Sequence, residues 1–181
     1  FTCPFYFLCK GSSQCYHPMD VCDGLIHCHG TKDDEVICSE TICPSDCSCD
    51  VNVVLCLSKN LTAFPHLTQS VRLLIISGNN LKEWPINMHT PKFLHKLDLS
   101  RNKICVLQPN NLASTIFIKI IDLSCNFIYL IETHAFSKME HLKQLNILQN
   151  SIKLILPNTF FGLANLKSLN LSGLGITAID Q

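Results

Sequence analysis

One pattern of apolar residues recurs along most of the chain and limits the folds that it can adopt. From Val71 onward a pattern of 11 residues returns every 23 or 24 residues. Its positions 1, 4, 6 and 11 are apolar, and its position 9 is Asn. The copies read VRLLIISGNNL, LHKLDLSRNKI, IKIIDLSCNFI, LKQLNILQNSI and LKSLNLSGLGI, and they begin at Val71, Leu94, Ile118, Leu142 and Leu166. Self-similarity at such a period is the signature of a repeat architecture. In the fifth copy Leu174 replaces the Asn, so that repeat is atypical.

Each copy is expected to supply one short strand. Alternation along a strand sends Leu97 and Leu99 to the same inward side. A single unit cannot bury that side, so neighbouring units must stack into a curved solenoid with one continuous core. The Asn after each strand is expected to bond backbone groups of adjacent turns, and Phe136 and Phe160 are expected to fill the convex side. The ladder residues are Asn79, Asn102, Asn126 and Asn150.

The pattern and its period resemble the leucine-rich repeat (LRR). The resemblance implies an α/β-type solenoid over residues 67–181, with short parallel strands on the concave face. Residues 41–66 contain CPSDCSCDVNVVLC and resemble the cysteine-rich N-terminal cap of extracellular LRR proteins. That resemblance implies the disulfides Cys43–Cys49 and Cys47–Cys56. Four cysteines at this spacing also permit a zinc site, which is the alternative.

Six further cysteines in residues 1–40 are separated by 5, 5, 6, 5 and 9 residues, with CDG after the fourth and DDE before the sixth. This spacing resembles the low-density-lipoprotein-receptor class A (LDLa) module, a small disulfide-rich calcium-binding fold. The resemblance implies the disulfides Cys3–Cys15, Cys9–Cys28 and Cys22–Cys38. So small a module buries little apolar surface, and it needs disulfides and a metal to compensate.

The LDLa resemblance also implies one Ca²⁺ site. Its side-chain ligands are Asp23, Asp34 and Glu35, and the backbone carbonyls of Asp20 and Leu25 complete the carried-over set. His27 stands where the family has a fourth carboxylate, and Ca²⁺ prefers oxygen to imidazole nitrogen. Full, weakened and absent calcium binding therefore all stay open. His27 and His29 are two solvated loop histidines or, as the sharper alternative, part of a transition-metal site.

Cysteine usage and charge distribution indicate the compartment. Twelve cysteines, ten of them before residue 57, predict a disulfide framework made outside the cytosol. Cys105 and Cys125 are left over and form either a cross-repeat bridge or two free thiols. Residues 1–42 carry a net charge of −4 and residues 43–181 carry +4. Because the positive part has no dense basic run, we expect no nucleic-acid partner.

An LDLa module directly before an LRR region resembles the relaxin-type leucine-rich-repeat G-protein-coupled receptors. The closing LKSLNLSGLGITAI is similar to the last repeat of those receptors. The resemblance implies an extracellular, membrane-attached receptor fragment that lacks a downstream membrane domain. The concave face would bind a peptide hormone, and the LDLa module would be needed for signal transduction. Four residues separate the two modules here, where relaxin receptors have a longer linker, and five full repeats are about half the usual number.

The repeat register assigns residues to the concave face. One stripe of strand positions contains Ile75, Asp98, Asp122, Asn146 and Asn170, and a second contains Arg72, His95, Lys119, Lys143 and Lys167. Asp98, Asp122 and Asn146 are the candidate ligand contacts, because a carboxylate can take a bidentate hydrogen bond from an arginine of the hormone. The plainer interpretation is that these acids only keep the strands soluble. The basic stripe is either a solvated flank or a contact for an acidic surface. The acidic N-terminal module is one such surface.

Two sequons predict a glycoprotein, with acceptors at Asn60 and Asn170. A glycan on Asn60 would lie on the edge of the cap, whereas one on Asn170 would block the concave groove. The alternative function is a secreted or matrix LRR protein with a structural or protein-binding role. No catalytic constellation of Ser, His, Cys or paired carboxylates converges in the repeat register, so an enzyme is not expected.

Overall fold

The computed structural model describes residues 3, 7–17, 20–21, 25–36, 43–84, 91–109, 115 and 117–180. Its elements are short and follow the repeat period. They are β1 (Phe7–Leu8), β2 (Cys15–Tyr16), α1 (Asp33–Val36), β3 (Ser48–Asp50), β4 (Val53–Leu55), β5 (Leu73–Ile75), β6 (Lys96–Asp98), β7 (Val106–Leu107), β8 (Ile120–Asp122), β9 (Leu130–Ile131), β10 (Gln144–Asn146), β11 (Leu154–Ile155), β12 (Ser168–Asn170) and β13 (Ala178–Ile179).

A seven-stranded sheet in the order β12-β10-β8-β6-β5-β4-β3 forms the concave face. Only β3 runs antiparallel to its neighbour β4, and the other strands are parallel, as predicted. The middle residue of each strand points into the core, in one line across the sheet: Val54, Leu74, Leu97, Ile121, Leu145 and Leu169. These residues are buried except Leu169, which is 39% exposed because β12 is the last strand.

The predicted asparagine ladder is present. The amide nitrogen of Asn126 donates to the carbonyl of Leu99 in the preceding repeat (2.9 Å) and to that of Leu123 in its own repeat (3.0 Å). Its oxygen accepts the N–H of Ile104 (3.1 Å). Asn79, Asn102 and Asn150 repeat this arrangement. Each buried amide thus pairs backbone groups that would otherwise be costly to bury.

The convex side differs from the α/β-type prediction. In the described part of the solenoid it contains turns and the short strand pairs β7–β9 and β11–β13, and no α-helix. Residues 132–142 make a succession of N–H to C=O bonds three residues apart, which are turns. The reason is length: about ten residues return the chain from β9 to the next repeat, too few for a stable helix as well as its connections. Phe136 and Phe160 stack there with ring centroids 6.3 Å apart.

Gly162 allows the convex turns of successive repeats to pack closely. Its φ is +96°, and a Cβ at this position would lie 2.5 Å from the carbonyl oxygen of Phe136 and 2.7 Å from Cα of Ser137. Both the backbone conformation and the space therefore require glycine.

The N-terminal region is held together by disulfides. The structure joins Cys3 to Cys15 and Cys9 to Cys28, the pairs that the LDLa resemblance implies. The cap joins Cys43 to Cys49 and Cys47 to Cys56. These two bonds use all four cap thiols, so the zinc alternative is wrong. The predicted Cys22–Cys38 bond lies outside the described residues.

Candidate functional site

The last residues of the concave strands form a column in direct register. Asp98 pairs with Asp122, and Asn146 lies beside Asp122 on the other side. Ile75 precedes Asp98, and Asn170 follows Asn146. Adjacent strands are about 4.8 Å apart, so the polar side chains of the column are direct neighbours.

Each polar side chain of this column also caps the turn that follows its strand. Asp98 accepts the N–H of Ser100 through Oδ1 (2.9 Å), and Asp122 accepts that of Ser124 (2.8 Å). Asn146 and Asn170 do the same with the residues two positions later. One oxygen of each side chain therefore has a structural role, which the sequence pattern did not reveal. Asp, Asn and Ser are favoured at such positions because they bond their own backbone.

The second carboxylate oxygens of Asp98 and Asp122 differ in their partners. Oδ2 of Asp122 accepts a hydrogen bond from Nδ2 of Asn146 (3.0 Å). For Asp98 the only protein partner within the described residues is the N–H of Ser100. The column thus offers one carboxylate oxygen at Asp98 and an Asp–Asn pair one repeat further on. A ligand with several N–H donors, such as a guanidinium, matches this arrangement.

The basic stripe lies beside the polar column and becomes more exposed along the solenoid. His95 and Lys119 are half-buried, whereas Lys143 and Lys167 are exposed. Burial, followed by the charges of Lys119, Arg72 and His17, lowers the pKa of His95 to about 4. Burial and the charges of Lys143 and Arg72 also lower the pKa of Lys119. The first part of the stripe is therefore a poor place for additional positive charge.

The N-terminal module packs against the solenoid near His95, at the half-buried part of the basic stripe. The Phe7 ring contacts Phe93 with centroids 5.2 Å apart and Phe117 at 5.6 Å, both edge-on. His17 of the module is close enough to influence the pKa of His95. The module thus lies beside the basic stripe, in a contact made by Phe7. The sequence predicts only a contact between opposite charges here. The available signal was that Phe93 and Phe117 each stand one residue before a repeat start.

The predicted calcium ligands are only partly described. Asp34 is fully buried, and its carboxylate accepts the N–H groups of His27 and Cys28. Nδ1 of His27 lies 4.0 Å from Oδ2 of Asp20, which brings the Asp20 carboxylate close to His27 in addition to its predicted carbonyl. Glu35 follows Asp34 in α1, and Leu25 is exposed. Asp23 lies outside the described residues.

Asp33 and Asp34 lie close enough to Tyr16 to affect its ionisation. Burial, then the negative charges of Asp33 and Asp34, raise the pKa of Tyr16. No set of three or more His, Cys, Asp or Glu side chains within the described ranges is placed to hold a metal ion. Asp34 and Glu35 carry carboxylate oxygens, the kind of ligand that Ca²⁺ prefers. The donor chemistry therefore fits Ca²⁺, and the complete cage stays a prediction.

The sequons and the remaining thiols have defined positions. Asn60 is exposed and has a φ of +58°. Asn170 is half-buried at the last position of the concave column, so a glycan there would project from the predicted ligand face. Cys105 and Cys125 are free thiols, so the cross-repeat bridge is absent. The thiol of Cys125 instead contacts Oε1 of Gln149 (3.0 Å).

Comparison with known proteins supports the repeat fold. Residues 118–174 match the leucine rich repeat family model, and residues 93–115 match a second model described as Leucine Rich Repeat. Residues 93–115 and 118–174 are therefore leucine-rich repeats within the parallel-stranded solenoid. No helix in the described ranges is long and apolar enough to span a membrane.

Three solved structures are similar to the solenoid. TLR13, crystallised with ssRNA13, is 28% identical with a TM-score of 0.55, over 76% of this chain and 17% of that chain. Human 5T4 (Wnt-activated inhibitory factor 1, trophoblast glycoprotein) is 27% identical with a TM-score of 0.53, over 58% of this chain and 40% of that one. FLRT2 (LRR), in an octameric complex with latrophilin 3 and Unc5D, is 23% identical with a TM-score of 0.52, and its likeness supports the fold alone.

The last of these matches covers 77% of this chain and 58% of that chain. The present chain therefore spans between 17% and 58% of the length of these proteins. The structure and the comparisons together describe a disulfide-rich N-terminal region followed by a parallel-stranded solenoid that contains leucine-rich repeats.

Proposed function

We propose that the chain is the extracellular ligand-binding part of a leucine-rich-repeat G-protein-coupled receptor for a relaxin-type peptide hormone. The observation that supports this most directly is the register of Asp98, Asp122 and Asn146 on the concave strands. Parallel strands hold these side chains rigidly about 4.8 Å apart, so little conformational entropy is lost when a ligand binds. An arginine of the hormone would bond the available oxygen of Asp98 and the Asp122–Asn146 pair.

A double substitution that removes the two negative charges but keeps the turn caps tests ligand binding without disturbing the fold. Asp98→Asn with Asp122→Asn keeps the side-chain oxygen that each turn needs, as Asn146 and Asn170 show in their own repeats. We expect the affinity for a synthetic relaxin-type peptide to fall by at least about tenfold, because a charge-assisted hydrogen bond is worth roughly 1.5–3 kcal/mol. The charge-reversed pair Asp98→Lys and Asp122→Lys should abolish binding. Unchanged affinity in both proteins, measured by titration calorimetry, would refute the assignment.

The proposal includes an LDLa module with one Ca²⁺ site, needed for activation of the downstream membrane domain. Its support is the cysteine pairing and the carboxylates near His27. Calcium calorimetry on the whole chain tests the site. We expect a binding heat that Glu35→Gln removes and that Glu83→Gln, an exposed acid of the first repeat, leaves unchanged. His27→Asp should raise the affinity by restoring a fourth carboxylate. Absence of any calcium heat in the unsubstituted protein would disprove the calcium site.

The second candidate is a secreted or matrix LRR protein with a structural or protein-binding role. The similarity to FLRT2, found with latrophilin 3 and Unc5D, motivates this candidate only through the shared fold. The transcript that encodes this chain distinguishes the two candidates. A cysteine-rich C-terminal cap downstream favours the secreted protein, and seven membrane-spanning helices favour the receptor.

A further inference from the structure

A patch of exposed apolar residues extends from the turns that follow the concave strands to the first residue of β11, where the convex side begins. Phe127 and Tyr129 are 58% and 59% exposed, and Leu154 of the next repeat is 43% exposed. Phe127 directly follows the ladder residue Asn126, so the patch is separate from the concave column. We call Phe127, Tyr129 and Leu154 the lateral patch.

The fold does not require these aromatic side chains. The N–H of Phe127 bonds the carbonyl of Ile104, and the equivalent N–H groups of Lys103 and Ser151 make the corresponding bonds in their own repeats. Tyr129 bonds Cys105 in the way that Thr177 bonds Lys153. Lysine, serine and threonine therefore serve the backbone equally well, and the aromatic pair needs another explanation.

Cations surround the lateral patch. Lys103 occupies the position of Phe127 one repeat earlier, and Lys153 occupies the position of Tyr129 one repeat later. Arg101 stands in the same column as Cys125, one repeat earlier. All three cations are exposed, and within the described ranges none of them forms an ion pair. The face thus combines an apolar centre with a positive border.

We propose that the lateral patch binds an acidic segment of a partner protein, with an aromatic or aliphatic side chain of that segment seated against Phe127 and Tyr129. Aromatic residues dominate the binding energy of protein interfaces, and a charged rim of opposite sign steers the partner. The site is distinct from the hormone site proposed for the concave face, and it would allow both ligands to bind together.

A single-stranded nucleic acid is the competing occupant, because it also combines aromatic stacking with positive charge. The patch offers three cations, whereas nucleic-acid binding depends on neutralising many phosphates, about six to ten in strong complexes. The chain as a whole has a formal net charge of zero. These charges favour the acidic protein segment.

The probe for this site is a fluorescent random copolymer of glutamate and tyrosine, with polyglutamate and oligouridylate as comparison ligands. The test protein carries Phe127→Ser and Tyr129→Thr, the residues that later repeats have at these positions, as Ser151 and Thr177. We expect the affinity for the copolymer to fall by at least about tenfold. Lys103→Ser with Lys153→Thr should lower it by about threefold at low salt and by less at high salt. Thermal unfolding of each variant verifies that it is folded.

The concave lysines provide the matched control, because they also attract anions. Lys143→Ala with Lys167→Ala should leave copolymer binding unchanged. In the unsubstituted protein, bound copolymer should slow alkylation of the free thiols Cys105 and Cys125 by iodoacetamide. The carbonyl of Cys105 accepts the N–H of Tyr129, and Cys125 stands two residues before Phe127. The proposal is wrong if the copolymer fails to bind or if only the concave lysine variant weakens it. It is equally wrong if oligouridylate binds more tightly than the copolymer through the same aromatic residues.

Discussion

Among single residues, His95 shows how the packing of the basic stripe makes stability depend on pH. Burial and neighbouring positive charges lower its pKa to about 4, whereas an unfolded chain has a histidine pKa of about 6.5. Between these values the unfolded state binds more protons, so stability rises with pH. The protein therefore has its full stability with respect to His95 above about pH 6.5, and it loses stability as the pH falls towards 4.

We therefore expect His95→Gln to remove part of the acid sensitivity of the protein. Because the ring is only half-buried, solvent screening limits the change in the free energy of unfolding between pH 7 and pH 4.5 to about 1–2 kcal/mol. Urea unfolding at several pH values, compared between the two proteins, measures it. His66→Gln, at an exposed position, is the control. An identical pH slope in wild type and His95→Gln would contradict the assignment.

At the scale of the repeat, the ladder turn is the element that fixes the spacing of successive strands. Asn126 bonds two buried carbonyls and one buried N–H. Asn126→Ala leaves the N–H of Ile104 without a partner and removes one of the two amide donors from each of the carbonyls of Leu99 and Leu123. We expect a loss of about 2–4 kcal/mol in the free energy of unfolding. Ser151→Ala, at an exposed position one repeat further on, should change it by less than about 0.5 kcal/mol. Equal urea midpoints for the two variants would show that the ladder is not stabilising.

The strands and the ladder could be predicted because their residues repeat. Five copies in register identify the position of Leu97, and four identify that of Asn126, so neither prediction depends on a single copy. Alternation along the strand then decides which side each strand residue faces. The convex turns could not be predicted in the same way. Their residues vary between copies, and the requirement for Gly162 depends on the backbone of Phe136 and Ser137 in the preceding repeat. The double role of Asp122, which caps a turn and bonds Asn146, also depends on neighbours that sequence spacing does not specify.

At the scale of the whole molecule, the position of the N-terminal module depends on a contact that has no period. Phe7 lies between Phe93 and Phe117, far from both in sequence, so no local pattern predicts the contact. Opposite net charges of the two regions suggested an electrostatic contact, yet aromatic rings form the part that the structure describes. Edge-to-face rings attract each other by about 0.5–1.5 kcal/mol beyond the burial of their area.

A double-mutant cycle measures whether this contact holds the module on the solenoid. We expect Phe7→Leu and Phe93→Leu each to destabilise the protein, and their combination to cost less than the sum by about 0.5–1.5 kcal/mol. The same cycle with Phe161→Leu should show no coupling, because Phe161 is exposed and packs edge-on against His134 in the later repeats. Additive effects of Phe7 and Phe93 would mean that the module is not docked in solution. A docked module instead makes the N-terminal region and the first repeats unfold as one unit, because the edge-on contacts of Phe7 join them.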